Sequence, residues 1–143
     1  MRVCVSACLL GECCKYSGGH NLVPALVEAL QGYEVVPVCP EMLGGLACPR
    51  DPAEIVGGRV VSRNEVDVTE EYELGAARAL ELARGCDAAV LQPRSPSCGV
   101  HQVYDGGFSG ALVPGSGLFA RALARAGVDV YEPEEFLDLD RGL

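Results

Sequence analysis

Arg2-Val3-Cys4-Val5-Ser6-Ala7-Cys8 opens the chain, and Tyr33-Glu34-Val35-Val36-Pro37-Val38-Cys39 takes the same form later: a short apolar run ending on a cysteine. The first run is too short for a signal segment, and its alternation reads as a strand. The second is rich in Val and reads the same way. A third run, Asp87-Ala88-Ala89-Val90-Leu91-Gln92, has Cys98 six residues beyond its end. Between these runs the spacing turns helical. Residues 20–31 carry Leu22, Leu26, Val27 and Leu30 on one face and stop at Gly32. Residues 67–84 open with Asp67-Val68-Thr69-Glu70-Glu71, a capping residue followed by acids where the helix dipole favours them. Tyr72, Ala76, Ala79, Leu80 and Ala83 then recur at helical spacing. A last helix is expected over 118–126 and a last strand over 128–131. Residues 39–52 form a Gly/Pro-dense loop, 58–63 an edge strand or hairpin, and 95–117 mostly loop. The acidic tail from 132 is expected to fray.

Strands that alternate with helices need crossover connections, which build a parallel sheet covered on both faces. The expectation is an α/β fold over residues 1–143: a single three-layer domain with a mainly parallel sheet, Rossmann-like. At 143 residues, 49% of them hydrophobic, the chain is long enough for one such core. No apolar run approaches a membrane span, and the chain reads as cytoplasmic. A formal charge of −9 argues against a nucleic-acid polymer as partner, because phosphate-backbone binding needs clustered Lys and Arg.

Eight cysteines in a reducing compartment are not explained by disulfides. In an open parallel sheet, ligands bind outside the carboxyl ends of the strands. Cys8 and Cys39 directly follow the first two strands, and Cys98 lies in the loop leaving the third, so all three emerge at one edge. Cys86 precedes its strand and belongs to the opposite edge, while Cys4 points into a sheet face as a small hydrophobe. Cys13, Cys14 and Cys48 lie in loops on the site's side and count as auxiliaries. The long spacing of the three thiols does not match a zinc finger or ribbon. Soft sulfur ligands suit an iron–sulfur cluster. On spacing alone, a cluster, zinc or plain thiols all stay open.

The loops add a resemblance. Ser6-Ala7-Cys8-Leu9-Leu10-Gly11 is followed by Tyr16 and Gly18, and Cys39-Pro40-Glu41 by Gly44-Gly45-Leu46. Pro49-Arg50-Asp51-Pro52-Ala53-Glu54-Ile55, Asp67-Val68-Thr69, Gly75, Ser95-Pro96-Ser97-Cys98-Gly99, Tyr104-Asp105-Gly106 and Phe108-Ser109-Gly110 come next in order. Together they resemble the bacterial 2-thiouracil desulfidase family, once a domain of unknown function. The likeness covers nearly the whole chain and implies a minimal catalytic module. It implies a [4Fe-4S] cluster on Cys8, Cys39 and Cys98 with one iron free of protein ligands. It also implies an enzyme that removes sulfur, without redox change, from a small thiocarbonyl such as a thiolated nucleobase. The expected reaction takes 2-thiouracil to uracil plus hydrosulfide. The chain departs from the family pattern at Lys15-Tyr16-Ser17-Gly18, where Arg-Tyr-Asp-Gly is usual, at Gln92, where Lys is common, and at Val66, where Arg is common.

Such chemistry needs a proton handler. Position and resemblance together nominate Glu41, two residues past a ligand, over a plain loop acid. Ser97, beside Cys98, is expected to orient substrate, with a turn hydroxyl as the bland alternative. Arg50 is expected to pair with Glu54, and His20 to lie at the surface near a helix start. His101 lies closer to the site but is not expected to act there. Two other functions remain: a cluster-bound sulfur carrier, and a non-enzymatic metal or thiol module.

Overall fold

Val3 and Val5 turn to one side of the first strand and Cys4 to the other, and all three are fully buried. A strand apolar on both sides belongs inside a covered sheet. The computed structural model describes residues 1–140. β1 (Arg2–Ser6) leads through a 3-10 turn (Ala7–Leu10) and α1 (Pro24–Ala29) to β2 (Glu34–Val38). α2 (Pro40–Leu43), the hairpin of β3 (Ala53–Val56) with β4 (Arg59–Ser62), and the long α3 (Thr69–Leu82) follow. Then come β5 (Ala88–Val90), the hairpin of β6 (Gln102–Tyr104) with β7 (Leu112–Pro114), α4 (Leu118–Arg125), β8 (Asp129–Tyr131) and α5 (Pro133–Asp140).

The sheet runs β2-β1-β5-β8, and every neighbouring pair is parallel. From β1 the chain goes first to one side, to β2, and later to the other, to β5. Strand order therefore reverses between β1 and β5, which opens a crevice at their carboxyl ends. α3 and α4 cover the face bearing Cys4 and Ala89, with Ala79, Phe119 and Leu123 fully buried among them. α1 and α5 cover the face bearing Val3, Val5 and Val90, through Leu26, Leu30 and Phe136. Burying a side chain such as Phe119 or Leu123 contributes about 1.5–3 kcal/mol.

Several expectations need correction. The helix expected over 20–31 starts only at Pro24, and Leu22 is exposed. Proline disfavours the helical conformation in the residue before it. The backbone N–H groups of Asn21 and Val23 instead donate to the carbonyls of Cys8 and Leu9. The loops expected over 39–52 and 95–117 contain α2 and the β6–β7 hairpin, elements of three or four residues with little periodicity to read. The tail from 132 is not frayed through 140. Pro133, Glu134 and Glu135 suit a helix start, and Phe136 packs against Tyr33 and Tyr131 at 6.0 and 6.4 Å between ring centroids. The last three residues of that expected tail lie outside the described residues.

One close approach sets where α2 sits. A Cβ on Gly75 of α3 would collide with the Pro40 carbonyl oxygen, and one on Gly44 with that of Glu71. The two helices thus meet backbone to backbone, and only glycine fits at the contact. Gly75→Ala is expected to lower stability by about 2–3 kcal/mol, the range of a forced overpacking. Urea unfolding checks this, and a variant within about 0.5 kcal/mol of the parent would contradict the contact.

Candidate functional site

The three cysteines that end or follow strands come together. Cys8 lies in the 3-10 turn after β1, Cys39 precedes α2, and Cys98 follows the Ser95-Pro96-Ser97 turn after β5. All three line one cavity of about 550 Å³. Hydrogen bonds help to set Cys8 and Cys98 in place. The Asn21 amide nitrogen lies 3.7 Å from Cys8 Sγ. The Cys98 N–H donates to Ser95 Oγ at 2.7 Å. Ser6 Oγ accepts the Gln92 N–H at 2.9 Å, tying the ends of β1 and β5 across the crevice. Cys4 and Cys86 lie in the core away from the cavity. The Cys48 thiol faces the carbonyls of Cys13 and Lys15, at 3.2 and 3.5 Å.

A fourth thiol joins these three. Cys14 is buried, lines the same cavity and interacts with the thiols of both Cys8 and Cys39. Its contact with Cys8 holds the Cys8 thiol below its ordinary pKa, against burial. Cys39 pulls the Cys14 value down, but Cys8 and burial outweigh it, and Cys14 rises to about 11. Cys39 is pushed well up, first by Cys14 and then by burial. Burial also raises Cys98, to about 12. Its adjacency to Cys13 gave no periodic signal that could have separated Cys14 from chance.

Glu41, in the first turn of α2, is held from several sides. Its Oε1 accepts from Arg50 Nε and Nη2, each at 2.9 Å, and its Oε2 from Ser97 Oγ at 2.8 Å. The Tyr72 hydroxyl from α3 also interacts with Glu41, and burial followed by the Glu41 charge raises the Tyr72 pKa. Arg50 also donates to the carbonyls of Ala47, at 3.1 Å, and Cys14, at 2.8 Å. One guanidinium thus fastens three segments. Burial opposes its charge, yet Glu41 keeps its pKa above the usual value. The expected pairing of Arg50 with Glu54 is therefore corrected. Glu54 instead accepts the N–H groups of Gly106 and Phe108. The expectation overlooked that Arg50 leaves a loop facing α2, whereas Glu54 is already in β3.

Ser97 is 2% exposed, and its hydroxyl meets Glu41 as well as Ser95 Oγ at 3.3 Å. Its backbone carbonyl accepts the N–H groups of Phe119 and Ala120, so the turn also caps α4. His101 is exposed and pairs with Glu135 at 2.8 Å, away from the cavity. His20 is exposed, and its Nδ1 accepts the Leu22 N–H. Lys15, Arg63 and Arg94 join Arg50 in the cavity lining, a local concentration of positive charge in a chain of net charge −9. Among the described residues, no group of three or more His, Cys, Asp or Glu side chains converges closely enough to hold a single metal ion. Cys8, Cys39 and Cys98 nonetheless line the same cavity. A soft, all-sulfur donor set fits an iron–sulfur cluster.

A sequence model of the 2-thiouracil desulfurase family matches residues 3–135. The chain belongs to that family. It is thus an enzyme, as its loop motifs implied. A curated relative, the uncharacterised protein YbbK of Bacillus subtilis (strain 168), is 38% identical over 149 residues, covering 96% of this chain and 99% of YbbK. Among solved structures, the [4Fe-4S]-dependent thiouracil desulfidase TudS is similar with a TM-score of 0.89 and 38% identity. That match covers 96% of this chain and 94% of the TudS chain. No helix among the described residues is long and apolar enough to cross a membrane.

The Arg50–Glu41 pair is nearly buried, with side-chain exposures of 8% and 12%. Removing one partner of such a pair strands the other charge, at a cost of about 3–5 kcal/mol. Arg50→Ala is expected to destabilise the protein on that scale, and Arg50→Lys by less, since Lys keeps the compensating charge although it cannot fork over one carboxylate and two carbonyls. Equilibrium unfolding of both variants checks the order. Equal stability of Arg50→Ala and the parent would show the pair to be idle.

Proposed function

We propose that this enzyme removes sulfur from a small thiocarbonyl compound, a thiolated nucleobase such as 2-thiouracil, at a [4Fe-4S] cluster held by Cys8, Cys39 and Cys98. Water replaces sulfur at carbon, so the thiocarbonyl plus water gives the carbonyl plus hydrogen sulfide, with no net oxidation or reduction. The observation that carries the reading is that the Glu41 carboxylate and the Ser97 hydroxyl, 2.8 Å apart, line the same cavity as the three thiols. Family membership and the likeness to TudS support the cofactor. When bound, a cluster with one iron free of protein ligands supplies a soft Lewis acid for the thiocarbonyl sulfur.

The protein's own groups supply the rest. Glu41 takes the proton from the attacking water, and the proton then serves the departing sulfur. The bonds from Arg50 and Ser97 hold the Glu41 carboxylate in one orientation at the cavity. Ser97 donates to Glu41, accepts from Ser95 Oγ, and keeps one oxygen lone pair for a water or a substrate N–H. The polar groups are thus fixed before substrate arrives, which avoids reorganisation during reaction. Lys15, Arg63 and Arg94 favour a substrate that carries polar or negative groups at its edge. The Cys14 thiol and burial favour the protonated form of Cys39, and burial does so for Cys98, so loading a cluster onto them releases protons.

Glu41→Gln is expected to keep normal iron content and visible absorption while turnover of 2-thiouracil falls about a hundredfold or more, the scale of general acid–base catalysis. Cys39→Ser is expected to lose both cluster and activity. Anaerobic reconstitution, iron analysis and conversion of 2-thiouracil to uracil measure this. A Glu41→Gln protein with a full cluster and parental turnover would remove Glu41 from the mechanism. A fully loaded parent that leaves 2-thiouracil untouched would remove the substrate and bring the carrier role forward.

A further inference from the structure

The chain has three phenylalanines. Phe119 and Phe136 are buried in the two apolar layers beside the sheet. Phe108 is half-buried, belongs to neither layer, and lines the cavity. Its backbone lies in the left-handed region, at φ 54°, where a residue with a side chain is disfavoured and glycine is not. The same loop places glycines at 106, 107 and 110, so glycine at 108 would have matched its surroundings and removed the strain. Backbone strain of this kind persists where surrounding contacts enforce it, and it gathers at ligand sites.

Those contacts are present. The Glu54 carboxylate on β3 is 9% exposed, and its Oε1 accepts the N–H of Gly106 at 3.0 Å and of Phe108 at 3.1 Å. Gly106 presses on β3 so closely that a Cβ there would come within 2.7 Å of the Ile55 carbonyl oxygen. The guanidinium carbon of Arg63 lies 5.8 Å from the Phe108 ring centroid, within cation–π range. The ring is therefore excluded from the core and lines the cavity, with its loop's backbone fixed by a buried acid and a cation lying over one ring face.

We propose that Phe108 is the stacking surface for the substrate's ring, so that the preferred thiocarbonyl is a planar, conjugated heterocycle. This assignment rests on the desulfuration reading and names a substrate-binding residue for it. Glu54 acts as a positioning residue by holding the loop in its left-handed turn. A flat ring gains from an aromatic face, whereas a saturated, puckered ring of the same polarity does not. Base–aromatic stacking corresponds to an affinity change between about fivefold and a hundredfold on truncation to alanine.

The test uses the cluster-loaded protein and two probes with the same polar edge, uracil and 5,6-dihydrouracil, titrated calorimetrically alongside turnover of 2-thiouracil. The parent is expected to bind uracil more tightly than dihydrouracil. Phe108→Ala and Phe108→Leu are expected to weaken uracil binding between about fivefold and a hundredfold and to erase the preference. Phe108→Tyr is expected to retain both. Iron content and the unfolding midpoint of each variant separate loss of stacking from loss of fold, and the leucine variant keeps the apolar bulk. Parental uracil affinity in Phe108→Leu overturns the assignment. So does an equal loss for both probes with a lowered midpoint, which makes Phe108 a loop-packing residue. If the parent turns over 2-thiouracil while the variants bind uracil as it does, only the Phe108 assignment falls. A loaded parent that neither turns over 2-thiouracil nor binds uracil takes the desulfuration reading down with it.

Discussion

β1 lies between β2 and β5, parallel to both, and the rest of the site depends on that placement. Parallel pairing puts the carboxyl ends of all three strands at one edge, so the residues that leave them must gather there. Reversal of strand order between β1 and β5 keeps the edge open instead of filling it with a crossover. The Ser6–Gln92 hydrogen bond then fixes the spacing of the two central strand ends. Cys8, Cys39 and Cys98 are thus brought together by sheet topology before any of their own interactions is considered.

A second layer of order comes from a buried ion pair. Arg50 and Glu41 give up hydration that surface charges would keep, and what offsets this is that Arg50 also satisfies two backbone carbonyls. The pair sits where α2, the loop carrying Cys14 and the loop carrying Ala47 meet. One guanidinium therefore does structural work that would otherwise need several separate contacts. It also presents a carboxylate to the cavity in one orientation, beside Ser97 and the thiols.

Much of the architecture was legible because it rests on periodicity and strand ends. The four parallel strands, α3 and α4 are amphipathic or apolar over enough residues to read directly, and the gathering of three cysteines follows from which end of a strand each occupies. Beyond elements too short to show a period, the errors trace mainly to tertiary contacts that no local pattern encodes. Phe136 anchors α5 in part through the ring of Tyr33, which is distant in sequence, so the acidic tail looked unstructured. The extended stretch before Pro24 is held by carbonyls of the 3-10 turn. Arg50 chose Glu41 over Glu54 because of how two loops fold against each other, and four residues of separation misled. Cys14 counted only as an auxiliary, yet the turn after Gly11 carries it back to the thiols of Cys8 and Cys39. Phe108 stood in a motif with no role attached, and its backbone conformation sets it apart.

The three thiols leave the sheet from positions widely separated along the chain. In the unfolded polypeptide they have no reason to be close, and bringing them together closes two long loops. A cofactor bound by all three would behave as a cross-link across β2, β1 and β5, and its binding free energy would be added to that of folding. Such a protein would not acquire its prosthetic group as an ornament on a finished scaffold. The group would be the last fastener in the assembly, and the carboxyl edge of the sheet would be the part that slackens first when it is withdrawn.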